Sequence, residues 1–541
     1  MRFRSKASIE APRNDGSDAT LGGARPLPAS SDLGPQPKVE SGGPLMAWRL
    51  PEMIPIGEFV SYVYCGEVMI LSLVMYRGVP TATWLTEMTR QFGIHSIAII
   101  GAGPCGLSAA KYLVAQNAFS NVVIFEQQSE VGGVWNYSRE TSSKGNEKPP
   151  VFPSPMYETL HTNIPRALMP FTDSAFRNDL LVFPSRQDVQ KYLVDYSQDI
   201  RHLIKFSTQV EDVRLRVVDG KDQWDVDVKS LERGEITSST YDAVVVASGH
   251  YSVISIPDIK GISRFHKAHP GTITHSKYYR VPEPFTNKRV VVVGNAASGL
   301  DIAAQIGSVC QKPILLSVRS PTSRANLDWT GAEEVPQIEE FLVEERGVRF
   351  QDGRAERDID AIIFATGYLY AFPFLKSLDP PVVTDGRRVH GVYDHLFHID
   401  HPTLVFPGLP MKVVPLPLAQ SQAATFSRTW ANLLPLPSVE EMRNWEEKET
   451  EKRGSKYHVW DKGDDSKYIN EIHEKIVQSG TPGKEPSHWS AELCWEREVQ
   501  PEAKLKFELE GRKAKSLEEL GFKYEPNPDE RPALTPASPI S

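Results

Sequence analysis

Cysteine is scarce: Cys65, Cys105, Cys310 and Cys494 are the whole complement of a 541-residue chain. They lie far apart, with no Cys-x-x-Cys pair and no Cys/His cluster. That argues against a disulfide framework and a structural zinc site, and no metal is expected. It also counts against a dithiol–flavin reductase, which needs two neighbouring thiols. Charge of one sign is lacking too. Sixty Lys and Arg against 69 Asp and Glu leave a net charge of -9, so no basic field favours nucleic acid. Long apolar runs are nearly absent. The one candidate, Phe59 to Tyr76, barely reaches the ~18 residues a membrane span requires. Glu67 sits in its middle, where a charge costs about 2.5–3.5 kcal/mol. A buried or interfacial amphipathic segment, or a true start at Met88, are the competing readings, so membrane association through this extension stays open. A reducing, cytoplasmic setting is expected.

What is present is an ordinary globular balance, 40% hydrophobic and 24% charged, in a chain long enough for two or three domains. Residues 1 to about 45, rich in Ser, Pro, Gly and Ala, show no period and are expected to be disordered. Acidic Glu10, Asp15 and Asp18 in that stretch argue against a transit peptide. From Ser96 to about residue 435, short β-rich runs alternate with helical stretches, the pattern of an α/β fold with parallel sheets. After Pro437 the chain is charged and helical in pattern (EEMRNWEEKETEKR), and PNPDERPALTPASPIS reads as a frayed tail.

The run SIAIIGAGPCGLSAAKYL opens with an apolar strand and turns through Gly101, Ala102, Gly103, Pro104, Cys105 and Gly106 into a helix. Gly101 permits the tight turn, Gly103 admits a pyrophosphate and Gly106 lets helix and strand pack closely. The helix N-terminus offers free N–H groups to phosphate. The next strand, NVVIFEQ, ends at Glu126, about 20 residues on, where an acid accepts hydrogen bonds from ribose hydroxyls and repels a 2′-phosphate. VGGVWNY follows at once. Its Gly132 and Gly133 let a loop pass close to a flat ligand while Val134 and Trp135 cover it, which favours FAD.

A second run, RVVVVGNAASGLDIAAQI, repeats this logic with Gly294, Ala296 and Gly299, Ala296 making the approach slightly looser. The strand after it, PILLSVRS, ends with Ser317 and Arg319 where the first unit has its acid. A hydroxyl and a guanidinium there suit a 2′-phosphate, hence NADPH. Two such turns imply hydride transfer between two dinucleotides. The expected fold class is α/β with two Rossmann-like dinucleotide-binding domains. An FAD-binding domain would occupy 95–255 and 330–440, with an NADPH-binding domain inserted at 256–329. Residues 1–94 would form an N-terminal extension and 441–541 a charged helical region and tail.

Over about residues 95 to 475 the chain resembles the flavin-containing monooxygenases, and more closely their soluble fungal members. Beyond both turns the likeness rests on MYETLHTNIPRALMPF, FPSRQDVQKYL, ASGHYSVISIPDIKG, HPGTITHSKYY, DIDAIIFATGYLYAFPFL and PLAQSQA. The family pattern FxGxxxHxxx(F/Y) is kept at Gly271, His275 and Tyr279, with His269 in place of the Phe. Baeyer–Villiger relatives usually end this pattern in Trp. The resemblance implies an NADPH-consuming, FAD-dependent monooxygenase of the N,N-dimethylaniline type. A C4a-hydroperoxyflavin would pass one oxygen atom from O2 to a small soft nucleophile, at sulfur or nitrogen. It implies Asn163 as the catalytic stabiliser, Thr162 and Gln422 as further flavin contacts, and Ser298, Leu300 and Asp301 as NADPH contacts. His275 would be a linker, and Thr366 and Gly367 would end a strand returning to the FAD domain. A Baeyer–Villiger or N-hydroxylating monooxygenase is one alternative, an NADPH-dependent flavin reductase or oxidase a second, and a flavin-bound but idle scaffold a third. A homodimer is open to it.

Overall fold

The computed structural model describes residues 60–65, 68–73, 91–141 and 150–526. The disorder expected for residues 1 to about 45 lies outside them, as does all but the first residue of the expected tail. Residues 1–87 and 88–541 form separate units.

In the first unit, Val60–Cys65 and Val68–Leu73 pair antiparallel, Val60 opposite Leu73 and Cys65 opposite Val68. The segment considered as a membrane span is therefore strand rather than helix here. Its sequence is dense in Val, Tyr and Ile, residues that fit a pleated surface better than a helix. No described helix is long and apolar enough to cross a membrane.

The second unit is built on two sheets, one parallel throughout and one parallel at its centre with an antiparallel edge. The first centres on β1 (Ser96–Ile100), which leads through a turn into α1 (Pro104–Ala115), then β2 (Asn121–Phe125) and β3 (Ala243–Val246). Ile97 lies opposite both Val122 and Ala243. Period-two alternation divides β1 between two cores. Ile97 and Ile99 face one that includes Leu107 and Leu113 of α1, while Ala98 and Ile100 face one around fully buried Trp224. Trp224 belongs to a three-stranded antiparallel sheet, Thr208–Val218, Lys221–Ser230 and Ile236–Tyr241.

The second sheet centres on β4 (Val290–Val293), which leads into α2 (Ala297–Gly307), then β5 (Leu315–Ser317) and β6 (Ala361–Phe364). β4 lies between β5 and β6, with Ile273–His275 and Glu333–Val335 at the edges. Because β6 is central, this sheet continues to residue 364, past residue 329 where the inserted domain was expected to end. The strand before Thr366 and Gly367 therefore belongs to this sheet. Its apolar AIIF run needs burial on both faces, and β4 supplies the pairing: Val291 lies opposite Ile362.

The chain crosses between the sheets twice, and the two crossings pair with each other. Val253–Ile254 runs antiparallel to Tyr368–Leu369. Further on, α3 (Pro415–Trp430) is buried from Leu416 to Trp430 and packs on α1. Helices Val439–Arg453, Asp464–Ser479 and α4 (Ala491–Leu509) complete the fold.

Candidate active site

The first turn is closed by backbone contacts that leave no room for side chains. Gly101 has φ +102°, and a Cβ there would stand 2.6 Å from the Ala247 carbonyl oxygen. A Cβ on Gly106 would stand 1.9 Å from the Gly101 carbonyl oxygen. Gly103 caps α1 with Pro104 as the next residue, where proline forfeits no hydrogen bond. A Cβ on Gly133 would come within 3.2 Å of the Gly103 Cα, and the Gly132 N–H donates to the Ala102 carbonyl at 3.0 Å. Turn and Gly-Gly loop thus meet backbone to backbone.

Glu126, at the tip of β2, is buried. Its carboxylate accepts from the Ala102 N–H at 2.7 Å and the Gln128 N–H at 2.8 Å. Burial raises its pKa above the usual carboxyl range, and these backbone donors oppose the rise. About four acceptor positions on a carboxylate leave capacity for ribose hydroxyls. Gln422 on α3 accepts from the Gly408 N–H at 2.8 Å through Oε1, and its side chain also meets the Tyr468 hydroxyl. Gln190 Oε1, which a Cβ on Gly132 would strike, is buried and unpartnered. A glycine cradle with an unsatisfied amide oxygen beside it fits a flavin dinucleotide, which is flat and polar-edged. Gln190 carries no sequence signal of its own, being one polar residue in a helix. Burial pushes the Cys105 thiol up to about 12, so it is no nucleophile. Trp135 is half-buried against the first core in a one-turn helix, and the Val134 carbonyl accepts from the Ser154 hydroxyl.

The second turn repeats the first almost atom for atom. Gly294 has φ +106°, with its would-be Cβ 2.8 Å from the Ala365 carbonyl oxygen, and Gly299's would stand 1.9 Å from the Gly294 carbonyl oxygen. Ala296 caps α2 at φ -78°, ψ 177°, the extended conformation Gly103 also adopts. Alanine is unstrained there.

The residues around this turn divide. Ser298 is exposed at the start of α2, and Arg319 is exposed beyond β5. Leu300 is core. Ser317 does not face a phosphate: it is buried, and its hydroxyl donates to the Pro336 carbonyl at 2.9 Å. As the last residue of β5, alternation turns it into the sheet. Asp301 is also withdrawn from the expected NADPH contact. Its carboxylate accepts from the Tyr157 hydroxyl and pairs with Arg512 at 2.9 Å. Asn295, not singled out from the sequence, donates to the Ser320 carbonyl and to Thr322 Oγ1, each at 2.9 Å, shaping the loop after β5.

Thr162 is buried with its hydroxyl on the Ile164 carbonyl at 2.8 Å, so it shapes the segment rather than offering a donor. Asn163 is exposed beside it. The motif residues lie in and beside the edge strand Ile273–His275 of the second sheet. His275 Nδ1 accepts from the Lys277 N–H at 3.1 Å, so Nε2 carries the proton and donates to the Gly367 carbonyl at 3.1 Å. Burial lowers its pKa to about 4, which keeps it neutral. Tyr279 packs in the second-sheet core with its hydroxyl on Gln305. Gly271 has φ +87° and open space around it, so its dihedral alone favours glycine. His269 bonds the Val343 carbonyl at 2.7 Å. Arg280, absent from the expected set, donates to the Ser138, Met156, Lys277 and Tyr279 carbonyls.

Residues 94–326 and 331–490 match the model of the FMO-like family, described as flavin-binding monooxygenase-like. The chain belongs to that family. It is a flavoprotein monooxygenase, an oxidoreductase that joins O2 chemistry to a small-molecule substrate. The thiol-specific monooxygenase of Saccharomyces cerevisiae is 33% identical over 395 residues, 70% of this chain and 85% of the relative. Flavin-containing monooxygenase FMO GS-OX-like 4 of Arabidopsis thaliana is 35% identical over 364 residues, 64% of this chain and 78% of the relative. Among solved structures, S-allyl-L-cysteine S-oxygenase from Allium sativum is 27% identical with a TM-score of 0.66, covering 80% of this chain and 98% of its own. The family match thus spans both nucleotide turns and the segment with Gly271, His275 and Tyr279.

Proposed function

We propose that the first turn holds FAD and the second NADPH, and that this monooxygenase oxygenates a small soft nucleophile at sulfur. The observation that carries the cofactor assignment is the pair of superposable turns with opposite groups at the strand tips. Glu126 stands after β2 and Arg319 after β5. A carboxylate selects a bare ribose, and a guanidinium selects a phosphorylated one. Sulfur is favoured by relatives named as a thiol-specific monooxygenase and an S-allyl-L-cysteine S-oxygenase.

When bound, the flavin supplies the oxygen chemistry. The chain's residues bind and orient. The N–H groups at the starts of α1 and α2 would hold the two pyrophosphates. Glu126 would accept from the adenosine ribose, and Gln422 would lie at the cofactor edge. Asn163 would donate one amide hydrogen bond at the reacting centre and take no proton, a stabilising role. His275 stays neutral and holds the linker. Reduced surroundings suit the free thiols Cys105, Cys310 and Cys494, in keeping with a cytoplasmic setting.

The test is product analysis with purified, flavin-loaded protein, NADPH and O2 on a thiol, a thioether, a tertiary amine and a ketone. Sulfur oxygenation is expected. A lactone or ester from the ketone would point to Baeyer–Villiger activity, and NADPH oxidation with no oxygenated product to a reductase or oxidase. Asn163→Ala is expected to keep its flavin and release more H2O2 per NADPH consumed. Unchanged coupling in an oxygen electrode would remove Asn163 from the assignment.

A further inference from the structure

Residues 491–525 lie beyond the part of the chain that the family model matches, yet they touch both halves of the second unit. α4 buries Ala503 and Phe507 fully in one core with Val182 and Phe183 of the flavin half. It also packs on the short helix Arg324–Thr330 of the second half. Just past α4, Arg512 donates through Nη1 to the Thr159 carbonyl at 2.8 Å and through Nη2 to Asp301 Oδ1 at 2.9 Å. Glu508 orients it, accepting from Nε at 2.5 Å. Asp301 Oδ2 takes the hydroxyl of buried Tyr157. Gln500 of α4 donates to the Asn163 carbonyl.

One guanidinium therefore joins α2, the helix that springs from the second turn, to the segment that runs from Thr159 into Asn163. The side chains of Arg512 and Asp301 are 22% and 15% exposed, drier than the surface pairs that contribute little. Three further hydrogen bonds fix the geometry, so the pair has one arrangement rather than many.

We propose that Arg512 is a positioning residue that sets the second nucleotide turn against the Thr162–Asn163 segment, carried by a strap of residues 491–525. The proposal rests on the second turn holding NADPH. A small rotation of α2 about its far end displaces its N-terminus, and with it the whole bound nucleotide. Hydride transfer is steep in distance, about a hundredfold for a 1 Å misplacement.

The experiment is stopped-flow reduction of the flavin-loaded full-length protein by saturating NADPH. It compares wild type with Arg512→Gln, Arg512→Lys, and the exchange Arg512→Asp with Asp301→Arg. Arg512→Gln is expected to keep its flavin content and lose about tenfold in reduction rate, with more H2O2 per turnover. The exchange is expected to recover part of that loss. Arg512→Lys keeps the charge but not the two-point bridge, and an intermediate rate is expected. A wild-type reduction rate in Arg512→Gln with only the melting temperature lowered would mean a purely structural tie and overturn the proposal. Should the Gln variant not fold, a wild-type rate in Arg512→Lys overturns it. Failure of NADPH to reduce even the wild-type flavin would strike the cofactor assignment itself, and the strap with it.

Discussion

Gly106 and Gly299 occupy equivalent places, each with a would-be Cβ 1.9 Å from a backbone carbonyl that has nowhere to move. Their alanine variants should nevertheless differ. Gly106→Ala is expected to yield colourless protein, whereas Gly299→Ala should keep the visible flavin spectrum and lose bleaching by NADPH. Equal loss of colour in both would count against separate nucleotide sites. Arg319 makes no ion pair among the described residues, so Arg319→Ala should leave stability alone. Removing a charged hydrogen bond costs about 1.5–3 kcal/mol, so the KM for NADPH should rise about tenfold or more while that for NADH stays put. Steady-state kinetics with both nucleotides decides it. At this scale the glycines, Glu126 and His275 were legible in the sequence because backbone geometry or fixed spacing dictates them. Ser317 and Asp301 were misread for a shared reason. Spacing places a residue at a strand tip or on a helix, but which way its side chain turns depends on Pro336, Tyr157 and Arg512, partners remote along the chain.

At the scale of elements, both strand–turn–helix units stood out in the sequence because short apolar strands next to glycine turns leave little freedom. The extent of the second sheet did not. β6 follows Leu315–Ser317 by some forty residues that hold a short helix and four short strands, and nothing local says that AIIF inserts beside β4. The segment Phe59 to Tyr76 shows the same limit. Its hydropathy left a span, a buried segment and an interfacial one all open, and its β-branched and aromatic content favours the strands found within it. α4 was legible as a charged helix, whereas its contact with Asn163 through Gln500 was not. Gln500→Ala leaves that carbonyl half-satisfied at an exposed position, so about 1 kcal/mol of stability is the expected loss, read as a small drop in denaturant midpoint.

For the molecule as a whole, acid acts in two opposed senses. Burial holds His250, His275 and His398 down to about 4 from the ordinary 6.5. Between those values the unfolded chain takes up protons that these folded histidines refuse, so their contribution is full above about 6.5 and declines as pH falls toward 4. Asp394 and Glu496, which burial raises to about 7, offset part of that loss as they protonate, so the histidine share is read by comparing variant with wild type in thermal melts from pH 7 to 4. His398→Asn, which keeps an acceptor for the His401 N–H, should shallow the slope.

The two crossings between the sheets, Val253–Ile254 and Tyr368–Leu369, are stitched together by their own hydrogen bonds. Thr366 adds its hydroxyl to the Ser255 carbonyl. Two separate threads would let the inserted domain tumble, but a zipped ribbon bends about one line only. A nucleotide carried on the second turn would thus keep one register against the first, as a page does in its binding.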